Sequence, residues 1–139
     1  LVSKELNDTT LVMLFEKDGL RALYTGDIGF DVEKELMTKY NLSAQVLKVG
    51  HHGSKYSSGK DFLVEVRPAV SIIEVGKNSY GHPTNEALAR LANVGSQIYR
   101  TDRDGIVKLT FDGKKLLFSS NRFNGGNHDT NVFIADWVE

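Results

Sequence analysis

The stretch VLKVGHHGSKYSSG, residues 46–59, runs from an apolar segment straight into two adjacent histidines, His51 and His52, and then into a polar cluster. It reads as a strand over residues 44–49, a sharp loop, and a short helix over 58–66. That helix carries Phe62, Leu63 and Val66 on one side, and Pro68 ends it. The next apolar run, AVSIIEVG over residues 69–76, is a strand again. Strand, helix and strand in that order are the beginnings of an α/β pattern.

The same alternation continues in both directions. Upstream, TTLVMLFE (9–16) and LRALYT (20–25) flank Lys17-Asp18-Gly19 and read as a β-hairpin. DVEKELMTKY then places Val32, Leu36 and Tyr40 on one helical face, with Asp31 as the expected N-cap. Downstream, Thr84 is expected to cap a helix with Leu88, Leu91 and Ala92 on its apolar face, closed by Gly95. Strands follow at 97–101, 105–111 and 115–119, joined by turns at Asp104-Gly105 and Asp112-Gly113. Residues 120–139 read as an irregular tail that ends in the strand NVFIADWV. The fold class expected is α/β: one mixed sheet with about three helices on its outer face. The runs VMLF and SIIEV are apolar enough for strands covered on both faces.

Bulk properties narrow the function. The 139 residues suit one domain or part of one, and the net charge of −1 carries no overall nucleic-acid footprint. The absence of cysteine excludes disulfides, thiolate nucleophiles and cysteine-bound zinc. No apolar run approaches the roughly 20 residues of a transmembrane segment, and no signal peptide is visible. The chain opens on LVSKELND without Met, so an excised segment is expected.

Chemistry collects at the ends of successive strands: Asp27 in TGD, His51 and His52 in HHGS, and His82 in YGHP. Ligands in open α/β sheets bind at the carboxyl ends of strands. Aspartate with neutral imidazole suits divalent Zn, Mn or Fe. Each residue also has an ordinary reading. Asp27 can be a turn or cap residue, His51 and His52 loop residues bonded to backbone, and His82-Pro83 a helix start. Spacing alone goes no further than a metal or phosphate site. SKYSSGK could hold a phosphate through Ser54, Lys55, Ser57 and Ser58, or simply cap a helix. Asp102 and Asp104 in TDRDG fit a charged turn better than a cation site, and His128 sits among loop residues. Neighbouring strand residues point to opposite sides, so one of His51 and His52 should face the site while the other braces the loop.

Taken together, TGD, VLKVGHHGSKYSS, VGKNSYGHPTNEALARL and IYRTDRDG resemble the metallo-β-lactamase-like domain at the C-terminus of the ComEC competence and DNA-uptake family, over about Asn7 to Phe118. Stand-alone hydrolases of that fold share the motifs. The resemblance implies an αββα sandwich with metals at the strand ends. The HxHxDH-type motif of the first half is absent, so the chain resembles the second half only, a single unit over residues 1–139. By the resemblance, Asp27 bridges two metals and His82 completes the second site. His51 or His52, with His52 preferred, contacts the scissile phosphate or assists the leaving group, with Ser54 and Lys55 nearby. Where relatives carry a metal-binding histidine, this chain has Asn7-Asp8-Thr9-Thr10, which makes Asp8 a candidate ligand for a harder ion such as Mn²⁺.

The implied activity is metal-dependent hydrolysis of a phosphodiester in DNA, with one or two Zn or Mn ions in the complete domain. The fragment alone is expected to be inactive and to bind no metal tightly. Implied partners are the missing N-terminal half, single-stranded DNA, and a second copy through an exposed sheet face. The implied location is an extracytoplasmic domain of a bacterial membrane protein, or a secreted or soluble hydrolase. The rival readings are a non-catalytic DNA- or partner-binding module using Lys48, Lys55, Lys60 and Lys77, and a hydrolase of a small phosphorylated or lactone substrate.

Overall fold

The computed structural model describes residues 10–111, together with the backbone of Lys115–Ser120 and Asn131–Asp136. Strands β1 (Met13–Lys17) and β2 (Leu20–Tyr24) form the expected hairpin. Asp18 and Gly19 turn it with φ of 51° and 83°, the paired positive angles that suit hairpin twist. Then α1 (Phe30–Lys39), β3 (Val46–Lys48), α2 (Lys60–Val66), β4 (Val70–Ile73), α3 (Asn85–Asn93) and β5 (Gln97–Arg100) alternate. The sheet order is β1-β2-β3-β4-β5, with β2 through β5 parallel. Each crossover steps one place in the same direction. Crossovers are almost always right-handed, so all three helices fall on one face. There Leu23, Leu47, Val49 and Ile73 pack with Phe62, Leu63, Val66 and Leu91. Burying one such side chain is worth ~1.5–3 kcal/mol. The α/β class and the three outer helices are as the sequence indicates.

The opposite face is not left bare. After a helical turn, α4 (Thr101–Asp104), the chain enters β6 (Val107–Phe111), which pairs with β7 (Lys115–Ser120) and through it β8 (Asn131–Asp136) in a separate antiparallel sheet. Val107, Leu109 and Phe111 pack on Leu20, Ala22, Val46, Val70 and Tyr99. Asp104-Gly105 is therefore a crossing between sheets and not a hairpin turn. The buried Asp104 carboxylate accepts from the Arg100 N–H at 2.8 Å and fastens that crossing.

Other expectations are corrected. The apolar run of β1 is an exposed edge strand, with Met13 47%, Leu14 37% and Phe15 48% exposed. Helix α1 starts from Gly29 without a side-chain cap. Asp31 lies inside its first turn, where a carboxylate suits the helix dipole. Tyr40 is the exposed residue that ends the helix, and Ala92 is exposed while Ala87 is buried. Thr84 does cap α3, its hydroxyl accepting from the Ala87 N–H.

The buried residue of α1 is Glu33. Its two oxygens accept from the N–H groups of Ser58 and Gly59, tying α1 to the loop before α2. Burial pushes the Glu33 carboxyl above its ordinary value of 4.5, against the opposing pull of those two donors and of Arg90. Between the unfolded value and the raised folded value, the folded state holds a proton that the unfolded chain has released. Stability from this group is therefore full below about 4.5 and lost as pH rises through the folded value. Urea unfolding across that window should show a falling stability that Glu33→Gln flattens. That variant should also be less stable throughout, because an amide oxygen accepts for only one side of the carboxylate's pair of bonds.

Candidate active site at the strand ends

Three loops carry the site, and backbone contacts lock them together. At the end of β2, the Thr25 hydroxyl donates to the Lys48 carbonyl at 2.9 Å. Gly26 (φ 55°) passes so close to Thr10 that a Cβ there would lie 2.7 Å from its Oγ1. The Asp27 N–H donates to that same oxygen. The second loop joins the first where the His51 N–H donates to the Gly26 carbonyl at 3.0 Å. It joins the third at Gly53 (φ 80°), where a Cβ would stand 2.6 Å from Pro83 Cβ, so a side chain is excluded. The Gly53 carbonyl accepts from the Thr84 N–H at 2.9 Å.

The third loop, residues 76–83, is knotted by one carboxamide. Asn78 Nδ2 donates to the carbonyls of Gly76 and His82, and Asn78 Oδ1 accepts from the N–H groups of Tyr80 and His82. The backbone N–H and carbonyl of His82 are thus both held by Asn78, a residue not among the candidates drawn from the sequence. An Asn four residues before a histidine in a Gly-rich loop is the signal that could have found it.

The double histidine is not on a strand. Gly50–Gly53 is a 3₁₀ turn in which His51 and His52 both take left-handed conformations, with φ of 47° and 53°. Strand alternation therefore does not apply, and both rings reach the cluster. His51 meets His82 edge-on, with ring centroids 5.6 Å apart. His52 Nδ1 lies 2.6 Å from the Glu74 carbonyl, and His52 Nε2 lies 3.8 Å from Asp27 Oδ1. A carbonyl only accepts, so Nδ1 carries the hydrogen. In the neutral ring the Nε2 lone pair then faces the carboxylate. That pairing of two acceptors suits a shared cation. Burial lowers the His82 pKa, helped by His51 and His52 and opposed by Asp27, so its imidazole is neutral at pH 7.

Asp27, His51, His52 and His82 are therefore brought to one edge. The donors are of the kind that binds a divalent metal, and 3.8 Å between Asp27 and His52 is compatible with two bonds of ~2.1 Å to a shared ion. They fall short in number: among the described residues, no group of three or more His, Asp or Glu side chains closes around a common point. Asp8 and His128 lie outside the described residues.

The serines behave differently. Ser54, Ser57 and Ser58 are buried. The Ser54 hydroxyl accepts from the Tyr56 N–H, and the Ser57 hydroxyl donates to the carbonyls of Gly50 and Ser54. The Ser54 and Ser57 hydroxyls thus serve the turn, while the Ser58 hydroxyl is buried without a hydrogen-bond partner. Lys55 is exposed, its ammonium 5.0 Å above the Tyr56 ring. Lys48 is paired with Glu74 at 3.8 Å, while Lys60 and Lys77 are exposed. Asp102 is held by Arg100, whose hydrogen bonds depress its pKa, and stands as a structural ion pair.

Fold and site together define an α/β protein with a histidine–aspartate cluster at the carboxyl ends of its parallel strands. In sequence the chain is 37% identical over 115 residues to ComE operon protein 3 of Bacillus subtilis, covering 81% of this chain. It is 37% identical over 106 residues to Competence protein ComA of Neisseria gonorrhoeae, covering 74%, and 32% identical over 117 residues to Recombination protein 2 of Haemophilus influenzae, covering 84%. It spans 15% of the length of each of these relatives. These matches support kinship with a competence protein family. No family model matches the chain, and no solved structure does. Among the described residues, no helix is long and apolar enough to cross a membrane.

Proposed function

We propose that this chain is part of a metal-dependent phosphodiesterase that acts on DNA during competence, in an extracytoplasmic domain of a larger protein. The observation that supports this most is the convergence of Asp27, His51, His52 and His82 from three interlocked strand-end loops. The names of the relatives point to competence, and the donor types point to a divalent ion, Zn or Mn.

In this reading Asp27 and His82 hold the metal together with ligands from outside the described residues. A divalent ion held there would supply the lowered water pKa that yields hydroxide at neutral pH. His52 is oriented by its Nδ1–H on the Glu74 carbonyl, so its free Nε2 would take the proton released by the attacking water and return it to the leaving oxygen. The neutral His82 offers a lone pair, and His51 packs edge-on to keep its ring in place. Lys55, above the Tyr56 ring, stands at the loop where a phosphate would arrive.

The test is hydrolysis of DNA by the intact protein with Mn²⁺ or Zn²⁺. Cleavage should require the metal and be lost with a chelator. Salt-dependent DNA binding with no cleavage under either metal would overturn the proposal in favour of a binding module.

A further inference from the structure

Tyr80 is 82% exposed, the most exposed of the large apolar and aromatic residues in the described chain. It is nevertheless not on a loose segment. Its backbone N–H is held by Asn78 Oδ1, and the same oxygen holds the N–H of His82 two residues on. The ring therefore stands in solvent on a fixed turn, with its centroid 6.2 Å from that of His82 and tilted by 37°. It contributes no core packing, and its neighbour Lys77 in the same loop is exposed as well. A rigid exposed aromatic ring beside a basic residue is the arrangement that stacks bases of single strands. Its distance from His82 is on the order of two base steps of ~3.4 Å each.

We propose that Tyr80 is a specificity-determining residue that stacks on an unpaired nucleobase next to the phosphate held at the strand ends, so that the site selects single-stranded over duplex DNA. In a duplex both faces of a base are already stacked, so this contact is denied to it. The inference rests on the reading of the site as one for DNA, but stacking itself needs neither metal nor cleavage.

The experiment is anisotropy of a labelled single-stranded oligonucleotide and of its duplex with the intact protein in chelator, comparing wild type, Tyr80→Ala and Tyr80→Phe. Each stacked base is worth ~1–3 kcal/mol, so Tyr80→Ala should weaken single-strand binding about 5- to 150-fold. Tyr80→Phe should stay within about 2-fold, and duplex binding should not respond to either change. The ring's exposure, and the fact that Tyr80 joins the loop's bonds only through its backbone N–H, mean that Tyr80→Ala should fold, which circular dichroism checks. Wild-type affinity in Tyr80→Ala, equal loss in Tyr80→Phe, equal loss for duplex, or no single-strand binding by wild type would each overturn the proposal. Tyr80-dependent binding without metal-dependent cleavage would overturn the phosphodiesterase reading and leave the stacking intact. Cleavage with an unchanged KM in Tyr80→Ala would do the reverse.

Discussion

Asp27→Ala in the intact protein is expected to lower kcat/KM for metal-dependent DNA hydrolysis by about 10³-fold or more, with folding unchanged. Asp27 supplies the carboxylate against which His52 is set, and removing one pre-organised charged group from such a site costs on the order of 10²–10³. Under the proposed role of Asp27 in holding a metal, the loss of that ligand adds to the effect, since even partners behind the ligands are worth about 10–100-fold. The fold should survive because the structural bond at this position uses the Asp27 backbone N–H on Thr10 and not the side chain. Asp27→Asn keeps the size and removes the charge, so it should fall nearly as far. Steady-state rates in Mn²⁺, with circular dichroism on each variant, read the difference. Undiminished hydrolysis in Asp27→Ala would sink the assignment.

Arg90→Met is expected to destabilise the protein by about 3–5 kcal/mol in urea unfolding. Arg90 reaches from α3 to the loop behind the histidines. Its Nε donates to the Ser58 carbonyl at 2.8 Å, and its Nη2 donates to the carbonyls of Lys55 and Ser57 at 2.9 Å. Its guanidinium also lies 5.6 Å from the Phe30 ring centroid, beside the buried Glu33. A hydrogen bond to a charged donor is worth ~1.5–3 kcal/mol, and the bonds from one side chain are not additive. Deleting the cation also removes one of the influences that favour the Glu33 carboxylate and leaves the carbonyls of Ser57 and Ser58 without this donor, a loss of about 1–3 kcal/mol for each buried group left unsatisfied. Met conserves much of the packing, so the loss reports the polar network. Arg90→Lys should recover only part of it, because an ammonium cannot reproduce the planar fork that grips several carbonyls.

Much of the fold was legible because its signals are local. The Asp18-Gly19 turn, the caps at Thr84 and Gly95, and the core triad Phe62, Leu63 and Val66 follow from propensity and periodicity. The misses share a different cause. Periodicity reports that β1 is apolar but not that it lies at the sheet edge, which depends on strand order. Asp104-Gly105 resembles a hairpin turn, yet β5 takes β4 as its partner and the chain changes sheets. A glutamate on a helix reads as surface, and Glu33 is buried only because two N–H groups some 25 residues away in sequence need an acceptor.

The candidate site divides in the same way. Residue chemistry and the placement of Asp27, His51, His52 and His82 at strand ends are written in the sequence, since glycines and strand boundaries are local features. What only the tertiary structure decided is how they meet. Both histidines turn inward because Gly50–Gly53 is a left-handed turn rather than the end of a strand, and His82 is held by Asn78 and the close approach of Gly53 to Pro83. The burial of Ser54, Ser57 and Ser58 was decided there too, by Arg90 and Glu33 drawing their loop against the helices. Convergence and burial depend on contacts between residues far apart in the chain, and a single sequence carries no local mark of them.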